Sequence, residues 1–161
     1  MLRLAVAALL FTVAPDARQD RSHVDERLAP LDFLVGHCWR GTLPTGEADV
    51  HCFRAGADSV TDHHDVLRAG KPVYSGDTLY RWDAAAGAIA FTYSSVGKVI
   101  GQGHVRPIEG GLDFGSSDYG DGADKVTIAT RWLRVGGDAY DAIDSSANQA
   151  FARTTRYTRV D

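Results

Sequence analysis

The chain has 161 residues, a formal net charge of −4 and 24% charged side chains. That length suits one domain with its own core, and the mixed signs leave no basic stripe of the kind a nucleic-acid partner requires. The balance of apolar and charged residues excludes a disordered body.

The first segment reads as an export signal. Arg3 is followed by the uncharged apolar run Leu4 to Ala14, and polar sequence begins at Asp16. The run is too short to span a bilayer. Cleavage is expected after Ala14 or Ala17, with Pro15 awkward for both. Residues 1–17 are therefore assigned to a signal peptide, with no stable membrane span after its removal and a periplasmic or secreted destination. Residues 18–30 form a leader and a short helix, for which Ser22 is a candidate cap, Asp25 a partner three residues on, and Pro30 a stop.

From residue 31 the helical period disappears. Short alternating segments lie near 37–43, 47–54, 59–68, 73–83, 88–95, 99–108, 112–116, 125–135, 138–144 and 149–159. The connections between them are mostly of hairpin length, which requires antiparallel neighbours. A sheet of about ten such strands curls, and closure removes its unpaired edges. The expected fold is all-β: an up-and-down antiparallel barrel over residues 31–161 with a short N-terminal helix.

Cys38 and Cys52 flank the turn sequence Leu43-Pro44-Thr45-Gly46, each seven residues from Thr45. A hairpin centred there opposes them and predicts a cross-strand disulfide, with two reduced thiols as the alternative.

The stretch Leu31 to Gly41 (LDFLVGHCWRG) places a short entry segment, a glycine and a tryptophan at the start of the first strand. In this it resembles the calycin group of lipocalins, fatty-acid-binding proteins and secreted bacterial lipocalin-like domains. One extra residue separates Gly36 from Trp39 relative to the lipocalin Gly-x-Trp. The resemblance implies a basic residue of the last strand packed over Trp39, either Arg156 or Arg159. The pattern also resembles nitrobindin-type ten-stranded barrels, which hold haem through a histidine near the chain end. The last histidine here is His104, so haem is not carried over, and no metal or other cofactor is expected.

Turn lengths set trial registers, and each register assigns one face of every strand to the interior. Closing the loop 84–87 with Asp83 and Ala88 opposes Trp82 to Ile89, Tyr80 to Phe91 and Thr78 to Tyr93. Closing the loop 69–72 with Arg68 and Val73 turns His63 and Asp65 inward and His64 outward. Closing Gly97-Lys98 with Val96 and Val99 turns Gln102, His104 and Arg106 inward. The first hairpin opposes Trp39 to His51, and a three-residue loop after Ala55 sets His51 beside His63. The expected lumen thus carries His51, His63, Asp65, Tyr80, Tyr93, Gln102, His104 and Arg106, which describes a pocket for a small, partly apolar ligand. His51, His63, Asp65 and His104 are metal-ligand types without a tight spacing motif.

Gly101-Gln102-Gly103 is not followed by a helix and is no dinucleotide fingerprint; nucleophile-elbow, zinc-protease and phosphate-loop motifs are absent. A ligand-binding barrel is the leading expectation. The alternatives are an enzyme using a histidine–carboxylate pair such as His63–Asp65 as general base, and a structural envelope protein with a filled barrel.

Overall fold

The computed structural model describes residues 24–120 and 122–160. The expected export signal over residues 1–17 and the leader residues 18–23, including Ser22, lie outside the described residues. The entry segment is a 3-10 turn, Glu26–Leu31, rather than an α-helix; Asp25 caps it by accepting from the Arg27 backbone N–H. With Pro30 inside so short a run, the i→i+4 ladder has no room to propagate.

Ten strands follow: β1 Cys38–Thr42, β2 Ala48–Ala55, β3 Ser59–Arg68, β4 Lys71–Asp83, β5 Ala88–Ser95, β6 Lys98–Ile108, β7 Gly111–Tyr119, β8 Val126–Arg134, β9 Ala139–Ser145 and β10 Arg153–Arg159. Each pairs antiparallel with the next, and β10 closes on β1 through Trp39↔Arg159 and Arg40↔Thr158. The expected closed up-and-down barrel is the fold. Cys38 opposes Cys52 in the β1–β2 register, and the two form a disulfide with their Cα atoms 4.1 Å apart.

One end of the barrel is filled. Leu28, Leu31 and Leu34 are fully buried there beneath Trp39, Phe53, Tyr80 and Tyr140. The Trp39 indole N–H donates to the Leu34 carbonyl at 3.3 Å, which ties the entry segment to β1. Of the two arginines considered for packing near Trp39, Arg159 is the one directly opposite it. Arg159 also pairs with Asp138, while Arg156 lies on the outer wall against Asp141. A guanidinium does sit over an aromatic ring at this end: that of Arg134 lies 5.0 Å from the centre of the Phe33 ring.

Two hairpins carry an inserted residue that the expected registers lack, and both departures have one cause. β3 and β4 are joined by the two-residue turn Ala69-Gly70, and β5 and β6 by Val96-Gly97. All four residues have positive φ, the primed-turn geometry that matches strand twist. Each turn is followed by a β-bulge, between Val66 and Leu67 in one hairpin and between Tyr93 and Ser94 in the other. On β4 the extra residue, Val73, follows Pro72, which has no N–H to give to the ladder. On β6 the extra residue, Ile100, precedes Gly101. One inserted residue reverses which side chains face inward along the rest of the strand. The expected inward placement of His63, Asp65, Gln102, His104 and Arg106 is therefore corrected: these five are on the outer wall, and His64 is inside.

Candidate functional site

The interior divides into the aromatic-filled end and a cavity of about 380 Å³ toward the other end. The apolar part of the cavity is lined by Phe91, Phe114, Ile128, Trp132 and Ala142. The inward positions of β6 opposite Phe91 and Tyr93 are the glycines Gly103 and Gly101, which makes room for neighbouring rings. A Cβ on Gly101 would stand 2.5 Å from the Tyr119 ring, and one on Gly103 would stand 2.8 Å from the Phe91 ring.

The polar side of the cavity comes from β2 and β3. Alternation turns Asp49, His51 and Phe53 of β2 inward, and Val60, Asp62 and His64 of β3 inward with them. Ala55 pairs with Val60, so the connecting loop is one residue longer than expected, and His51 stands opposite His64 rather than His63. The two imidazoles stack, with centroids 4.2 Å apart and planes at 10°.

Each ring is bound by the aspartate of the other strand. His51 Nδ1 is 2.7 Å from Asp62 Oδ2, and His64 Nε2 donates to Asp49 Oδ1 at 2.5 Å. Tyr157 donates its hydroxyl to Asp49 Oδ2 at 2.6 Å. On the far side of His64, Nδ1 lies 3.0 Å from the Tyr93 hydroxyl, which in turn lies 2.6 Å from that of Tyr74. A hydrogen-bonded run therefore leads from Asp49 to the partly exposed Tyr74. Elsewhere on the cavity wall, Asp144 accepts from Thr130 at 2.7 Å and faces Arg153 at 3.5 Å.

Burial alone would disfavour a charged imidazole at His51. The carboxylates of Asp62 and Asp49 outweigh it and raise the pKa to about 10. Burial likewise opposes ionisation of Asp49, but the imidazoles of His51 and His64 beside it hold its carboxyl far below the usual carboxylate range. Desolvation pushes the Tyr93 hydroxyl well up, helped by its bond to Tyr74, so it remains a neutral phenol.

A pH dependence follows. The folded pKa of His51 lies above its unfolded value of about 6.5. Its contribution is thus fully present below that pH and fades as pH rises through about 10. Urea unfolding with a chelator present should show the midpoint falling across that window, and His51→Gln should flatten the fall. Tyr80 and Tyr140, also raised by burial, add a loss of the same sign only above the ordinary tyrosine range.

His51, Tyr80 and Tyr93 line the cavity. The outer-wall residues have other partners. His63 contacts Asp77 at 2.8 Å and Asp65 at 3.4 Å, so the His63–Asp65 pair meets outside the lumen. His104 pairs with Asp83 at 3.0 Å, and Arg106 stands opposite Asp113 in the β6–β7 register. The sequence reading missed Asp49, Asp62 and His64. A signal for them is present: Asp-x-His occurs twice, at Asp49–His51 and Asp62–His64, on two strands joined by a tight turn.

These features define a closed ten-stranded antiparallel barrel, half filled, with a histidine–aspartate cluster beside an internal cavity. The architecture is compatible with a calycin-like fold. No protein-family model matches the chain, and no curated protein matches it. Among the described residues, no helix is long and apolar enough to cross a membrane.

Proposed function

We propose that the protein is an exported, lipocalin-like binding protein that takes a small, partly apolar ligand into the unfilled part of the barrel. The observation that carries this reading is the cavity itself. Its volume of about 380 Å³ falls within the range of small-molecule sites, with apolar walls on one side and a few convergent polar groups on the other. Asp62 supports a ligand that bears a hydrogen-bond donor. The residue is 1% exposed, lines the cavity, and its Oδ1 has no hydrogen-bond partner. A buried carboxylate oxygen of this kind calls for a donor such as a hydroxyl or amino group. The disulfide fits an oxidising compartment, in keeping with a signal peptide over residues 1–17.

The test uses N-phenyl-1-naphthylamine, an apolar aromatic amine whose fluorescence rises in dry surroundings. Wild-type protein is expected to bind one probe per chain saturably. Ile128→Trp, which fills the cavity from β8, should weaken binding by about tenfold or more while far-UV circular dichroism is unchanged. Equal binding by the two proteins would place the probe elsewhere and overturn the reading.

A further inference from the structure

The geometry points to a second binding function in the same barrel: Asp49, His51 and His64 form a site for a divalent first-row transition-metal ion. This inference does not depend on the organic ligand. Its basis is the orientation of three side chains. A histidine that ligates a metal through one ring nitrogen is normally held by a hydrogen bond to the other. Both histidines here have that second bond: Nδ1 of His51 to Asp62, and Nδ1 of His64 to the Tyr93 hydroxyl. Asp49 is held in the same way, through Oδ2 by Tyr157. The atoms left without such a bond are Nε2, Nε2 and Oδ1, and the three residues bring ligand atoms within 4.8 Å of one another.

Two imidazoles and one carboxylate form a donor set for zinc or iron that keeps positions open, and the cavity adjoins the set. Asp49 Oδ1 is 2.5 Å from His64 Nε2 and 3.7 Å from His51 Nε2. Ligand bonds of about 2.0–2.2 Å require the shorter contact to open by up to roughly an ångström and the stacked rings to fan apart. The outer cluster of His63, Asp65 and Asp77 is a poorer site, because His63 and Asp77 are more than half exposed.

The test is equilibrium dialysis of chelator-treated full-length protein against Zn²⁺, with Co²⁺ as a spectroscopic probe. One ion per chain and visible ligand-field bands are expected. Asp49→Asn and His64→Gln should each lower Zn²⁺ affinity by more than tenfold. Asp62→Asn, a positioning residue, should lower it by about 10–100-fold. His63→Ala should leave it unchanged. Where a variant fails to fold, Co²⁺ broadening of the His51 and His64 ring protons in wild-type protein decides the question. Failure of wild type to take up either ion overturns the proposal, as does uptake abolished by His63→Ala or Co²⁺ broadening confined to His63 and His104. None of these outcomes bears on binding of the naphthylamine.

Discussion

Truncating Trp39 to alanine is expected to lower stability by about 3–5 kcal/mol, the cost of removing a large aromatic side chain from a packed core. The side chain is 1% exposed. Its ring meets Phe33 at 6.3 Å and Tyr140 at 5.3 Å in edge-on contacts, and its N–H is bonded to Leu34. The space it would leave lies between a closed barrel wall and the plug of Leu28, Leu31 and Leu34, so inward collapse is limited. Loss of the Leu34 bond should also loosen the entry segment. Amide exchange in residues 26–36 should therefore accelerate more than exchange in β6 or β7. Trp39→Phe keeps an aromatic edge for both neighbours and should lose roughly half as much or less. Urea unfolding at neutral pH gives the free energies. A loss below about 1 kcal/mol for the alanine variant would show that the plugged end contributes little.

Asp62→Ala is expected to cost a similar amount, about 3–5 kcal/mol, for an electrostatic reason. Asp62 is buried and bonded to His51, whose charged form both neighbouring carboxylates favour. Removing one partner leaves a desolvated imidazolium with Asp49 at 3.7 Å as its remaining counterion. His51 escapes part of the penalty by losing its proton. Replacing both residues, as His51→Leu with Asp62→Leu, removes the desolvation cost along with the attraction. The double variant should thus be more stable than Asp62→Ala alone. If instead the two substitutions add, the stacked histidines and their aspartates do not act as a unit.

Much of the architecture was legible in the residues. Period-two alternation and turn chemistry are local properties, so the strands, their antiparallel order and the disulfide followed from the chain itself. The β4–β5 register, with Tyr80 opposite Phe91 and Thr78 opposite Tyr93, was equally legible because Asp83 and Ala88 close a regular four-residue turn. The site was less so. His51 was placed inside, but three of its partners, Asp49, Asp62 and His64, were overlooked or turned outward. The doubled Asp-x-His pattern becomes informative only once the loop after Ala55 is known to be one residue longer than it looks.

The residues alone determined an all-β chain that closes on itself, because each strand and hairpin is specified by side chains within a few positions of one another. Tertiary structure alone decided which histidines share the interior. Val73 and Ile100 read as ordinary strand residues, and they become bulges because the ladders on either side must meet in twisted, closed neighbours. One inserted residue in each hairpin, set by packing across the barrel, made the difference: Val73 exchanged His63 for His64, and Ile100 put glycines in place of Gln102 and His104 on the inner wall.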